Sequence, residues 1–324
     1  MKHRKKISYS KYGYIFSLPF IIVFFIFSLY PIFYTALIGF TDYKGIGVTE
    51  FHILENPLQN FEIILKNASF ITALKNTFTI WIMNFIPQIL IALVLTAWFT
   101  SKRNTLRGKG LFKVIFYLPN IITAASIAIL FFALFGYPVG PVNSILVKLG
   151  IIDAPQYFLV GKTTTRIIVA FIQFWMWYGY TMIILVSGVL GISPEIYEAA
   201  EVDGTNGLQA FFYITLPNLK TILLYVLITS MIGGLNMFDI PKLFMQGGPD
   251  NATLTTSVFI YNQAFSGSYM YNRAAAASMI MFAIIAVLSG ILFYIMRDKS
   301  EIRIRKEAKL LEKQRKLEAK ERGL

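Results

Sequence analysis

Residues able to do chemistry are few in this chain, and they gather in three stretches. Gln173-Phe-Trp-Met-Trp177-Tyr-Gly-Tyr180 sets an amide and polar-edged aromatics inside an apolar run. Gln173, Trp177 and Tyr180 stand at i, i+4 and i+7, so a helix carries all three on one face. Sugars have apolar C–H faces and hydroxyl rims, which an aromatic surface with an amide beside it can match. The competing reading is an aromatic belt at a membrane interface, and that leaves a Gln in mid-run unexplained. A second surface is Ser230, Gly233, Gly234, Asn236 and Met237, four of which recur at helical spacing. Its glycines could leave space for a ligand, or could let two helices pack closely. The third stretch runs from Ile196 to Pro217. Helix formers Glu198, Ala199, Ala200 and Glu201 lead there to Asp203-Gly204, a helix stop, and Thr205 or Asn206 can cap a second short helix.

Other chemistries are poorly supplied. The chain has no cysteine, which excludes disulfides, thiolate metal sites and Cys nucleophiles. Its two histidines, His3 and His52, leave little for metal binding or acid–base work, so neither a catalytic site nor a metal site is expected. Gly161-Lys-Thr-Thr164 resembles the end of a phosphate loop, but Gln156 stands where the first glycine is required. Asn67-Ala-Ser69 and Asn251-Ala-Thr253 fit the glycosylation pattern, a short motif that arises by chance.

The elements that must position these stretches are membrane helices. Hydrophobic residues make up 56% of the 324, mean hydropathy is +0.60, and 29 Phe and 18 Tyr face only 17 acidic residues. That is a polytopic membrane protein rather than two soluble domains. Apolar runs long enough to span fall at about 12–40, 74–99, 111–135, 167–190, 219–237 (with a continuation to 245) and 274–296. The first is too long for a signal-peptide core and reads as an uncleaved helix. Prolines 19, 31, 87 and 119 interrupt several runs, as membrane helices tolerate.

Charge orients the six spans. Segments 1–11, 100–113, 191–220 and 297–324 carry five, five, one and eleven of the 30 Lys+Arg, leaving eight for the opposite side. This asymmetry places both termini in the cytoplasm and accounts for most of the +13 net charge without nucleic acid. Segment 191–220 is the exception, with Glu195, Glu198, Glu201 and Asp203 against Lys220. It also presents Ile196, Tyr197, Leu208, Phe211, Phe212 and Tyr213, which a merely solvated loop would not, so it reads as a docking surface for a protein.

At this point the residues resemble a known family. Glu198-Ala-Ala-x-x-Asp-Gly204, then Ile214-x-Leu-Pro217, is similar to the signature (EAA) loop of ABC importer permeases. Gly13-Tyr-x-Phe-x-Leu-Pro19, Tyr30-Pro31, Phe40-Thr-Asp-Tyr43, Asn60-Phe, Ala73-Leu-x-Asn-Thr77, Phe116-Tyr-Leu-Pro119, Gly140-Pro-Val-Asn143, Phe238-Asp239, Gly247-Gly-Pro249 and Ala274-Ala-Ala-Ala-x-Ser278 resemble the sugar-importing branch. Thr205 stands where that family usually has Ala. The similarity covers about residues 12–296 and implies the maltose-type permease subunit of a carbohydrate-uptake importer.

What the resemblance implies is specific. The fold would be all-α, six transmembrane helices in the type I ABC importer arrangement, with a cytoplasmic coupling helix. Four segments follow: a basic N-terminus (1–11), the first helix and outer loop (12–72), a five-helix core (73–296, coupling loop 191–220) and a charged tail helix (297–324). Partners would be a second homologous permease, two ATP-binding subunits and an extracytoplasmic sugar-binding protein, in a bacterial inner membrane. ATP and magnesium would be bound by the ATPase, so this chain would be no enzyme. Glu198, Ala199, Ala200, Asp203 and Gly204 would couple to that ATPase, and Gln173, Trp177, Tyr180, Ser230, Gly233, Gly234, Asn236 and Met237 would line the sugar path. Rival readings are a permease for a non-sugar solute, an ion-coupled secondary transporter, and a membrane scaffold or receptor. Asp239, the one acid near a span, stands at an outer end, which disfavours ion coupling.

Overall fold

Prolines and capping residues decide where the helices of this protein begin, bend and stop. The structure is a computed structural model that describes residues 10–48, 50–101, 107–267 and 269–297, with 307, 308, 310, 311 and 314. His3 and most of the charged 297–324 tail therefore lie outside the described residues.

The helices, in order, are α1 (Ser10–Phe24), α2 (Tyr30–Gly39), α3 (Gln59–Lys66), α4 (Ala68–Thr100), α5 (Lys109–Ile121), α6 (Ala124–Leu134), α7 (Pro141–Lys148) and α8 (Lys162–Leu190). They continue as α9 (Pro194–Val202), α10 (Gly207–Ala210), α11 (Leu216–Asn218), α12 (Lys220–Leu235), α13 (Asp239–Met245), α14 (Thr256–Phe265) and α15 (Tyr271–Met296). Two five-residue π turns, Phe25–Leu29 and Phe211–Thr215, join α1 to α2 and α10 to α11. Each ends two residues before a proline. The Tyr30 N–H reaches back to the Phe25 carbonyl and the Leu216 N–H to that of Phe211, while Pro31 and Pro217 have no N–H to offer.

Among the described residues, five helical stretches are long and apolar enough to cross a membrane: Lys11–Gly39, Ala68–Thr100, Lys162–Leu190, Lys220–Met245 and Tyr271–Met296. The expected run 111–135 is not one straight helix. It forms α5 and α6, bent by 92° across Ile122-Thr123, and makes a sixth span only if the bent pair is counted as one. The reason is a cap inside the apolar run: Ile122 and Thr123 are extended, and the Thr123 hydroxyl accepts from the Ser126 N–H. Pro119, two residues before the break, had already weakened the last turn of α5.

The chain divides into two compact units, one holding the chain up to Lys75 with Leu254–Ile284, the other Asn76–Thr253 with the segment from Ile285. In the first, α1 and the π turn expose apolar side chains along their length, as a lipid-facing rod would. Buried asparagines hold the rest together. The Asn60 amide donates to the carbonyls of Gly39 (2.9 Å) and Thr41 (2.8 Å), and Asn272 donates to Thr41 (3.2 Å). His52 sits in an exposed turn, where its N–H donates to the Asp42 carboxylate.

The second unit is built on α8. Gly179 lets α5 cross it in contact, because a Cβ there would overlap the Phe116 carbonyl and lie 2.9 Å from the Tyr117 Cα. One apolar cluster packs α6 and α13 against the first half of α8 through Ile127, Phe131, Ile172, Ile240 and Phe244. Another packs α4 and α12 against its second half through Leu95, Met182, Leu185 and Val226. The 161–164 segment is the start of α8: Gly161 is its N-cap, and Lys162 pairs with Asp250 at 3.3 Å. Asn143 staples the loop before α8 by exchanging hydrogen bonds with the Gln156 backbone.

Candidate functional site

Where the two apolar clusters of the second unit meet, a cavity of about 310 Å³ opens, lined from both by residues such as Met176, Met237 and Val226. The structure brings all eight residues of the expected path to this one cavity: Gln173, Trp177, Tyr180, Ser230, Gly233, Gly234, Asn236 and Met237. Their positions follow from helix periodicity. Gln173, Trp177 and Tyr180 run up one face of α8, and Trp177 and Tyr180 meet edge to face at 5.8 Å between ring centroids. Gln173 is only 8% exposed, whereas Trp177 is 44% exposed, so of the two lining residues the amide is the buried one and the ring the open one.

The two glycines of α12 divide the two readings that their spacing allowed. Gly233 has open space where a side chain would stand. Gly234 is pressed against Trp81, whose Nε1 lies 2.8 Å from the place of a missing Cβ and has no hydrogen-bond partner among the described residues. One glycine leaves room and the other packs.

Sequence reasoning missed five polar members of the lining: Asn84, Gln88, Thr181, Thr229 and Asp239. Gln88 on α4 donates to the Thr181 hydroxyl of α8 at 2.8 Å, a buried polar bond between helices. Asn84, one turn earlier, donates to the Ile80 carbonyl of its own helix at 3.0 Å. Their signal was present, two amides at i, i+4 inside an apolar run, but nothing in the sequence said which helix they would face. Asp239 was placed at an outer end and set aside; it opens α13 and lines the cavity.

The acidic stretch is a separate construction in the same unit. Helix α9 has no buried residue, and Val202, Leu208 and Tyr213 stand well exposed around it. Its end is a Schellman turn: the Thr205 N–H bonds the Ala200 carbonyl (3.0 Å) and the Gly204 N–H that of Glu201 (3.1 Å). Gly204 takes φ +78°, a conformation that side chains resist. Asn206 and Gln209 then exchange side-chain-to-backbone bonds at 2.9 Å, a capping box that starts α10. The Tyr197 hydroxyl lies 2.9 Å from that of Thr215, a buried residue in the π turn, so α9 is tied directly to the helix that returns. Glu198, Ala199, Ala200, Asp203 and Gly204 thus form the outer edge of one short, internally bonded hairpin of helices.

Among the described residues no group of three His, Asp or Glu side chains comes together that could hold a metal ion. What the cavity can do is bind, through amides, hydroxyls and an aromatic face; what the hairpin can do is present a stiff surface.

Residues 76–306 match the model of the binding-protein-dependent transport system inner membrane component. The chain belongs to that family. The permease is 32% identical over 293 residues to the lactose transport system permease protein LacF of Rhizobium radiobacter, covering 90% of this chain and 96% of that one. It is 30% identical to the arabinooligosaccharides transport system permease protein AraP of Bacillus subtilis, with 85% of each chain covered. A chain from the crystal structure of a bacterial alginate ABC transporter, in complex with an alginate pentasaccharide-bound periplasmic protein, has a TM-score of 0.71 at 26% identity; the likeness covers 89% of this permease and 94% of that chain. The permease is therefore a multi-pass protein of the inner membrane with the ABC importer permease fold.

Proposed function

We propose that this permease carries sugars or oligosaccharides inward as one half of the translocation path of an ATP-driven, binding-protein-dependent importer. The observation that carries the reading is the cavity lined by Gln173, Trp177, Tyr180, Ser230, Gly233, Gly234, Asn236 and Met237, which joins amides and hydroxyls to an aromatic face. At about 310 Å³ it falls at the lower end of small-molecule sites, about 300–1,000 Å³. Relatives named for lactose and arabinooligosaccharides support the same substrate class.

In this reading the hairpin of α9 and α10 is the coupling element. Its exposed apolar and acidic residues dock on a cytoplasmic ATPase, which binds ATP and magnesium and does the hydrolysis. Ala199 and Ala200 permit close approach, Glu198 supplies a charge-assisted bond, and Gly204 fixes the bend. The Tyr197–Thr215 bond and the π turn then pass its motion into α12, whose far end reaches the cavity. Motion of the ATPase in this way moves whole helices as a hinge does. Both termini lie in the cytoplasm, a second permease completes the path, and two ATPases and an extracytoplasmic binding protein complete the complex.

The test is sugar uptake into vesicles that hold the permease with all its partners. Uptake of a disaccharide or oligosaccharide should require ATP and the binding protein. Uptake driven by an ion gradient without ATP would overturn the proposal.

A further inference from the structure

Charge is the least expected property of the cavity. Among the described residues its polar lining is neutral, amides and hydroxyls such as Asn84, Gln88, Gln173, Thr181, Ser230 and Asn236, with one acidic exception, Asp239. No Lys or Arg is among the described residues that line it. Lys242, one turn further along α13, is not part of it.

The donors are also partly spent. One amide hydrogen of Asn84 goes to the Ile80 carbonyl (3.0 Å), one of Gln88 to the Thr181 hydroxyl (2.8 Å) and one of Asn236 to the Ile232 carbonyl (2.9 Å). Each of these side chains also brings an amide carbonyl oxygen as an acceptor. Hydroxyl groups of a sugar can donate to them. A carboxylate accepts only, so on this permease's side of the path it would leave its water for a lining that offers no cation and holds a like charge; both disfavour an anion.

We propose that this permease selects uncharged sugar rings and rejects uronic acids, with Asp239 as the specificity-determining residue. The inference rests on the sugar reading of the cavity and narrows it. Likeness to the alginate transporter, at 26% identity, is a likeness of fold and leaves the cargo to the side chains.

Equilibrium dialysis of the assembled importer in nanodiscs tests it, with radiolabelled lactose, cellobiose, arabinobiose and galactobiose against the uronates cellobiuronate and digalacturonate. Neutral disaccharides should bind at least tenfold tighter than uronates of the same linkage, and Trp177→Ala should weaken that binding, marking it as this cavity's. Uronates that bind as tightly as their neutral counterparts would overturn the charge selection and leave the sugar reading standing. Binding of neither class would remove the sugar reading and the selection with it. In Asp239→Asn the ratio between neutral and uronate probes should narrow several-fold; an unchanged ratio would take the role from Asp239.

Discussion

The cavity and the hairpin of α9 and α10 sit in the same unit and are built in opposite ways. The cavity is assembled from positions far apart in sequence, Asn84 and Gln88 on α4, Gln173 to Thr181 on α8, Ser230 to Gly234 on α12 with Asn236 just past its end, and Asp239 on α13. Its shape depends on how four helices pack, and so on glycines such as Gly179 and Gly234 that let them approach. The hairpin is made from consecutive residues, and its bonds close within a few positions: Ala200 to Thr205, Glu201 to Gly204, Asn206 to Gln209. One region is specified by packing, the other by local backbone rules. Mutations should separate them accordingly.

The largest effect is expected at Gly179. A methyl group there would overlap backbone of α5 that cannot swing aside, so Gly179→Ala should cost about 3 kcal/mol, the upper end of overpacking. Thermal unfolding of the purified permease in detergent would show it as a large loss of stability. Stability equal to wild type would mean that α5 and α8 are less tightly packed than described.

Trp177→Ala comes next and should leave the fold alone. Trp177 is 44% exposed, and removing its ring should lower uptake at limiting sugar by about tenfold, the scale of about 1.4 kcal/mol, with normal expression. Unchanged uptake would argue that the ring belongs to an interfacial belt after all.

Gly204→Ala probes the other region. No atom blocks the new methyl group, but φ +78° disfavours it by about 1–2 kcal/mol. Uptake should fall while binding of sugar to the cavity keeps its affinity. If binding fell with it, the two regions would not be separable in the way their construction suggests.

Tyr197→Phe is the mildest. It deletes the hydroxyl partner of Thr215 and should cost about 0.5–1.5 kcal/mol. Uptake per ATP hydrolysed should drop while assembly with the ATPase persists. An unchanged ratio would show that the bond holds the loop together without transmitting its motion.

The same contrast explains what the sequence revealed. Asp203-Gly204 as a helix stop and Asn206 as a cap were readable because caps and turns obey rules a few residues long. The face of Gln173, Trp177 and Tyr180 was readable from helix period alone. The break at Thr123 escaped because an apolar run of that length reads as one span, although Thr123 and Ser126 already formed a cap signal. Asn84, Gln88 and Asp239 escaped for a different reason. Which neighbour a membrane helix turns its polar face to is a property of packing, and no single run of residues records it.

Coupled transport requires that the hairpin drive the cavity. The most direct test is Glu198→Lys, measured as ATP-dependent sugar uptake in vesicles alongside ATPase assembly and sugar binding. Uptake should collapse while the variant still binds sugar and its fold is intact. Import at the wild-type rate, with the ATPase assembled as usual, would contradict the assignment.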